Sequence, residues 1–168
     1  MSNRSWGTML AVLLILCLPI LANGQGTGQT MGRNMAEMKF TTFPGLPTCT
    51  TAAVQSGDPM KGPSVILAKQ AAGCTIPWHW HTPNEHLMMV SGEARMDVKE
   101  GKPLTLRPGG FALVPSHHAH QLRCTTACSL FVYSDAPLDT HYVDAQGKEV
   151  SPEVAMKAVR EKAATEMK

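Results

Sequence analysis

Most of this chain repeats one pattern, in which a short apolar segment is followed by a turn rich in Gly, Pro, Asp and Ser. Between residues 41 and 135 the apolar segments read TTAAVQ, VILAKQ, HLMMV, ARMDV, FALV and SLFVY. Segments this short, at this spacing, are typical of β-sandwiches and barrels. A length of 168 residues with 43% hydrophobic residues suits one compact domain. The sequence therefore predicts a single all-β domain over residues 41–145.

The C-terminal stretch, residues 146–168, differs in kind and predicts a helical extension. Ser151 is a candidate N-cap and Pro152 takes the first helical position, followed by good helix formers. We expect an α-helix from about Pro152 to Thr165. Its apolar stripe is thin, which suits packing on the barrel or on a partner subunit.

The N-terminus carries the features of a secretory signal peptide over residues 1–24. Arg4 precedes an apolar run from about Met9 to Leu21, and small residues follow. The run is shorter than a membrane span, and no later stretch is long enough to stop transfer. We therefore expect a secreted or periplasmic protein without a stable membrane span after cleavage, an uncleaved anchor being the alternative. Residues 25–40 are expected to form a flexible leader.

The charge balance argues against nucleic acid as a partner. The chain has 15 basic and 13 acidic residues, and loss of residues 1–24 removes only Arg4, so the formal charge falls from +2 to +1. Binding to phosphate backbones needs a concentrated positive stripe, and this sequence has no Lys/Arg run.

Four cysteines remain after removal of the predicted signal peptide, an even number that permits disulfides in an exported protein. Cys124 and Cys128 flank the tripeptide Thr-Thr-Ala and would face each other across a tight hairpin, so we expect them to pair. Cys49 and Cys74 are expected to be paired or buried as thiols.

The stretch GCTIPWHWHTPNEHLMMVSG, residues 73–92, concentrates candidate metal ligands. His79 and His81 share a face of a strand, because side chains alternate along it. Glu85 has the same parity, and the turn formed by residues 82–84 must return its carboxylate to the histidines. Two imidazoles and a carboxylate suit Fe, Mn, Ni, Cu or Zn. A fourth ligand must come from elsewhere, and the nearest His-rich place is PSHHAHQ, residues 115–121.

These residues resemble the two sequence motifs of the cupin superfamily. The first motif is complete at its fixed positions, which read Gly73-x5-His79-x-His81-x3-Glu85-x6-Gly92. The second is approximated by Gly109-x5-Pro115, with His120 as the expected ligand, and departs from the pattern at His117, where Gly is usual, and at Cys124, where Asn is usual. The resemblance covers roughly residues 45–135, and the departures affect loop shape more than ligation.

The resemblance implies an antiparallel jelly-roll barrel that holds one divalent transition metal ion on His79, His81, Glu85 and His120. A closed barrel leaves a cavity that a small molecule can enter from one end. A cupin that has kept the shape and lost the metal is the alternative. Leu87 and Met89 share the parity of the ligands and are expected to line the cavity wall.

The other histidines and the tryptophans beside His79 receive separate interpretations. His118 shares the parity of His120, so we expect it at the cavity mouth, where it could act in catalysis as a proton shuttle. His86 is expected to face outward or into a subunit interface. We expect His117 to be a solvated loop residue and His141 to be a structural residue. Trp78 and Trp80 should lie on the face opposite the ligands.

Three functions are compatible with these residues. The first is an exported metalloenzyme, a dioxygenase acting on a small molecule. The second is a non-catalytic metal-binding or sensing module of the cell envelope, and the third is a metal-dependent isomerase. A fold alone does not select among reactions. Because cupins commonly pair through their sheets, a homodimer is expected.

Overall fold

The structure is a computed structural model that describes residues 30–166. The predicted signal peptide, residues 1–24, lies outside the described residues, as does Cys17. The strands and helices all belong to one compact unit that begins at Arg33. Within the described part of the chain, no helix is both long and apolar enough to cross a membrane.

Ten β-strands, one 3-10 turn and one α-helix form within residues 30–166. In chain order they are the 3-10 turn Met35–Glu37, β1 Thr50–Gly57, β2 Ser64–Gln70, β3 Thr75–Trp80, β4 Glu85–Ser91, β5 Ala94–Val98, β6 Leu104–Leu106, β7 Phe111–Val114, β8 His120–Cys124, β9 Cys128–Ser134, β10 His141–Tyr142 and α1 Pro152–Glu166.

The strands form two five-stranded antiparallel sheets. The first sheet has the order β1-β2-β9-β4-β7 and the second the order β10-β3-β8-β5-β6. Neighbours such as β2 and β9 are far apart in sequence, so the sheets are held together by long-range pairing. Two facing sheets with such crossovers form a jelly roll. The all-β prediction is confirmed.

The core lies between the two sheets, and strands such as β5 and β7 contribute alternate residues to it. Leu87 on β4, Leu130 on β9 and Met96 on β5 are almost fully buried. Burying a side chain of this size stabilises a fold by about 1.5–3 kcal/mol. Met89 lies in this core as well.

The C-terminal helix forms where the sequence predicts it. Ser151 caps the helix, because its carbonyl accepts a hydrogen bond from the Ala155 amide at 3.1 Å and its hydroxyl lies 3.5 Å from the Val154 amide. Ala155 is buried in the core and Met156 packs beside it, whereas Val154 is exposed.

Two disulfides join the two sheets at one end of the barrel. Cys49, just before β1, pairs with Cys74, just before β3. Cys124, at the end of β8, pairs with Cys128, at the start of β9. Each bridge therefore connects a strand of the first sheet with a strand of the second. The expected Cys124–Cys128 pairing is present, and Cys49 and Cys74 adopt the paired alternative.

Candidate metal centre

The four predicted ligands converge at one end of the barrel. His79 lies on β3 and is paired with His120, the first residue of β8. His81 follows β3, and the turn after it leads to Glu85, the first residue of β4. All four are buried, with exposed fractions of 4% for His79, 5% for His81, 7% for Glu85 and 0% for His120.

The side chains of these residues meet at short distances. One ring nitrogen from each of the three histidines lies within 4.8 Å of those of the other two. Glu85 Oε1 is 3.6 Å from His81 Nε2, and Glu85 Oε2 is 3.2 Å from His120 Nε2. The three histidines are therefore close enough to share one ion, and the Glu85 carboxylate lies beside two of them.

Backbone carbonyls fix the orientation of all three imidazoles. The Nδ1 atom of His79 is 2.7 Å from the Pro77 carbonyl, and that of His120 is 3.1 Å from the His118 carbonyl. The Nδ1 atom of His81 contacts the Asp139 carbonyl. A carbonyl can only accept, so each Nδ1 carries the proton and each Nε2 is left with a lone pair, as a metal ligand requires.

An irregularity in β3 explains why the Pro77 carbonyl is available to the His79 ring. The register between β3 and β8 shifts between Ile76 and His79. Pro77 lies within this shift, and its nitrogen has no proton to give to the ladder. The irregular pairing leaves the Pro77 carbonyl to accept from the His79 ring.

The polar atoms that face the centre of the site lack partners within the protein. His81 Nε2, His120 Nε2 and Glu85 Oε2 are buried without a hydrogen bond. Buried polar atoms are rarely left unpaired, because the lost hydration is costly. Imidazole nitrogens and a carboxylate oxygen suit a divalent transition metal. The residues present therefore fit a metal ion at this position.

Burial and mutual charge set the protonation of the site. Burial raises the pKa of Glu85, but the neighbouring His81 and His120 outweigh this effect and lower it to about 2. Burial, together with the charges of His120 and His81, lowers the pKa of His79 well below its usual range. Burial also opposes protonation of His120, yet Glu85 reverses the balance and raises the pKa of that ring. Glu85 is thus an anion among imidazoles.

Side-chain hydrogen bonds hold the turn between His81 and Glu85. The Thr82 amide donates to the Asp139 carboxylate at 2.7 Å. Asn84 donates from its amide and its side chain to Asp135, at 3.1 and 2.7 Å. Both acceptors lie between β9 and β10, so this loop anchors the turn that returns Glu85 to the histidines.

A cavity of about 350 Å³ extends from the four residues into the barrel. Leu87 lines it as expected, whereas Met89 does not and packs in the core instead. The other apolar side chains in the wall include Phe43, Leu46, Ile66, Ile76, Leu122, Leu130, Val132 and Leu138. A small, largely apolar molecule could therefore lie beside the histidines.

The structure does not place His118 at the cavity mouth. His118 is exposed and does not line the cavity. The reason is that β8 begins only at His120, so the parity of a strand does not extend back through the turn. His118 acts on the site through its backbone, whose carbonyl accepts from the His120 ring.

The tryptophans and outer histidines lie away from the cavity. Trp80 stacks on His141, with ring centroids 3.9 Å apart, and on His117, at 4.6 Å. Lys99 lies over the ring of Trp78. His117 is exposed and has a φ of 62°, a left-handed conformation that glycine adopts without strain. This backbone conformation explains why glycine is usual at the position of His117 in the second cupin motif.

Sequence reasoning missed two residues that contact the site. The Asp139 carbonyl holds the His81 ring, and Tyr142 lies beside His79 with ring centroids 5.9 Å apart. Tyr142 donates from its hydroxyl to the Gly45 carbonyl at 2.7 Å, and burial raises its pKa. Neither residue follows a recognisable motif, because Asp139 lies in the loop after β9 and Tyr142 lies on a strand of only two residues.

The comparison with protein families agrees with the fold and the site. Residues 66–133 match the family model described as a cupin domain. With the jelly roll and the three-histidine cluster, this match identifies residues 66–133 as a cupin domain. No curated protein matches the chain significantly.

Several solved structures share the fold at low sequence identity. A protein from Methylibium petroleiphilum, proposed to be an acetylacetone dioxygenase, has a TM-score of 0.59 and 16% identity, with 76% of this chain and 90% of that one covered. An RmlC-like cupin from Shewanella frigidimarina has a TM-score of 0.54 and 17% identity, with coverage of 65% and 92%. A mutant of the salicylate 1,2-dioxygenase from Pseudoaminobacter salicylatoxidans has a TM-score of 0.50 and 21% identity, and the match covers 56% of this chain but only 31% of that one.

Proposed function

We propose that this protein is an exported, metal-dependent dioxygenase that acts on a small, largely apolar enol, phenol or diketone. One observation carries the proposal: the unpartnered, buried atoms of His81, Glu85 and His120 face an apolar cavity large enough for such a molecule. Similar folds in a salicylate dioxygenase and in a protein proposed to be an acetylacetone dioxygenase support the reaction class.

Different residues of the chain would have different roles in such a reaction. A divalent metal bound to three imidazoles and one carboxylate keeps net positive charge, which favours an anionic oxygen beside it. The carbonyls of Pro77, His118 and Asp139 keep the imidazoles oriented. The apolar wall excludes water and orients the body of the substrate. In this proposal Glu85 accepts the proton of an enol or phenol hydroxyl, which the lack of a hydrogen-bond partner at its Oε2 atom supports.

A non-catalytic binding module is the second candidate, because it needs no acid or base in the cavity beyond the four proposed ligands. Apart from the four proposed ligands, the titratable residues lining the cavity are Asp139 and Tyr142. The Asp139 carboxylate is occupied by Thr82, and the Tyr142 hydroxyl is held by Gly45. An isomerase needs a base beside the metal that is not itself a ligand, so this arrangement disfavours the isomerase and fits the binding module as well as it fits a dioxygenase.

Oxygen consumption tests the dioxygenase proposal. Protein loaded separately with iron, copper, nickel or manganese is supplied with a panel of enols, catechols, flavonols and diketones in an oxygen-electrode cell. We expect metal-dependent uptake with at least one compound, and no uptake above background in His120→Ala. His118→Ala, which leaves the lining of the cavity unchanged, should retain activity. Absence of uptake while the metal stays bound would favour the binding module.

Export and pairing of two copies belong to the same proposal. The features of residues 1–24 support export, which N-terminal sequencing of the mature protein would test. On the outer face of β4 and β7, Phe111 and Leu113 are 59% and 51% exposed. The neighbouring His86 has a buried Nδ1 atom without a hydrogen-bond partner. Large exposed apolar residues beside an unsatisfied polar atom favour a protein partner, and β7 is an edge strand of its sheet. We assign this face to a second copy of the chain.

Light scattering of a charged variant tests the dimer. Phe111→Glu should convert the dimer to a monomer, because it puts a charge into the apolar face. Leu104→Glu is the matched control, since Leu104 is 43% exposed on an edge strand of the other sheet, and it should remain dimeric. A wild-type monomer at working concentration would contradict the assignment.

A further inference from the structure

The cavity runs away from the metal centre toward the other end of the barrel. Glu85 pairs with Ser134, which pairs in turn with Ser64 at the start of β2. Gln70 lies at the other end of β2, directly opposite Thr50. Ser64 therefore marks the height of the metal centre along the barrel, and Gln70 lies six residues further along the same strand. Six residues of extended strand correspond to about 20 Å at about 3.3 Å per residue. Thr50, Gln70 and Glu85 all line the cavity.

Small residues leave room between the two ends. Ala52 and Ala68 lie directly opposite each other, and both line the cavity. Nearer the metal centre, the cavity wall carries larger side chains, such as Ile66 on β2 and Leu87 on β4. Because the alanine pair fills little space, an elongated apolar group can pass over it toward Thr50 and Gln70.

Thr50 and Gln70 are buried polar side chains whose hydrogen-bonding capacity is largely unused. Their exposed fractions are 2% and 6%. The Thr50 hydroxyl lies 3.4 Å from Cys74 Sγ, and Gln70 Oε1 lies 3.2 Å from Cys124 Sγ. Both sulfurs belong to disulfides, so neither has a proton to donate, and a sulfur is only a weak acceptor. Within residues 30–166, these two side chains make no other hydrogen bond of their own.

The second sheet closes the cavity at the end of the barrel where Thr50 and Gln70 lie. Ile76 pairs with Leu122 and both line the wall, and the Cys124 amide donates to the Cys74 carbonyl at 3.0 Å beyond them. The two disulfides therefore lie beside Thr50 and Gln70 at the end far from the metal centre. Two buried polar groups whose contacts within the protein are only to disulfide sulfurs, at the end of an apolar channel, are an arrangement that can recognise a ligand.

We propose that Thr50 and Gln70 form a polar subsite that binds a hydroxyl, carbonyl or amide group at the far end of an elongated apolar substrate. The inference rests on the proposed small-molecule site and defines its substrate class more closely. One end of the substrate carries the anionic oxygen that lies at the metal centre, an aromatic or aliphatic body passes the alanine pair, and the other end carries a hydrogen-bonding group.

Calorimetric binding of two matched diketones tests the subsite. The probes are pentadecane-2,4-dione and its 15-hydroxy analogue, whose extended chain is long enough to reach from the metal centre to Thr50 and Gln70, titrated into zinc-loaded protein, in which no oxidation takes place. The hydroxyl compound should bind about threefold to tenfold more tightly, as expected for one additional hydrogen bond. In Gln70→Met and in Thr50→Val this preference should fall to less than about twofold.

Thr51→Val is the matched control, because it makes the same change one residue along β1, where the side chain has the opposite parity. It should keep the full preference. Equal affinities in the wild-type protein, a preference that survives in both cavity variants, or failure of both probes to bind would each overturn the inference. If Gln70→Met does not fold, Thr50→Val, which conserves shape, decides the outcome. Because binding is measured without any oxygen chemistry, a protein that consumes no oxygen can still show the predicted preference. Failure of the dioxygenase proposal is therefore distinguishable from failure of the subsite.

Discussion

Replacing His120 by alanine is expected to abolish stoichiometric metal binding, with affinity falling by more than about 100-fold. His120 is fully buried, and its Nε2 atom has no protein partner. Changes to groups that only support ligands already cost about 10–100-fold in metal affinity, so loss of a ligand itself should cost more. His79→Ala and His81→Ala should behave in the same way, whereas Glu85→Ala should weaken binding or change the preferred metal.

Metal content by elemental analysis after dialysis measures this effect. His118→Ala is the control, because the structure assigns only the backbone carbonyl of His118 to the site, and it should keep its metal. Thermal unfolding of each metal-free variant separates loss of a ligand from loss of the fold. Full metal content in two of the three histidine variants would refute the ligand assignment.

Removal of the Cys49–Cys74 disulfide is the change with the largest expected effect on stability. The bridge closes a loop with a sequence separation of 25 residues. Loop-closure entropy predicts a loss of about 3–4 kcal/mol in the free energy of unfolding for a loop of this length. Denaturant unfolding of the double variant Cys49→Ser, Cys74→Ser measures it.

The Cys124–Cys128 bridge provides the internal comparison. Its sequence separation is only 4 residues, so the same reasoning gives about 2 kcal/mol for the variant Cys124→Ser, Cys128→Ser. The order of the two effects is the decisive result. A larger loss from the short loop would show that stability at this end of the barrel comes from local packing and not from loop closure.

Local pattern was enough to predict most strands. The segments ARMDV and FALV coincide with β5 and β7, and in ARMDV the alternation of apolar and polar residues shows directly which face is buried. The strand β6, with sequence LTL, was missed because it has three residues, follows a turn-rich stretch and exposes Leu104. Strand order could not be predicted from the pattern alone, because pairs such as β2 with β9 join distant segments.

The proposed ligands could be identified because the spacing from His79 to Glu85 follows a known motif. His118 does not line the cavity, because it lies in the turn before β8, where strand parity does not apply. The contacts of Asp139 with His81 and of Gln70 with Cys124 join residues 58 and 54 positions apart. Contacts of this range arise from tertiary packing, and a local sequence pattern does not contain them.

Metal analysis of the purified wild-type protein, combined with X-ray absorption at the edge of the metal found, tests the central claim most directly. The account predicts about one divalent transition metal ion per chain, with imidazole nitrogen and carboxylate oxygen donors in the first shell. Because all four described cysteines are paired, no sulfur donor is expected. An absence of bound metal, or a first shell that contains sulfur, would contradict a metal centre built from His79, His81, Glu85 and His120.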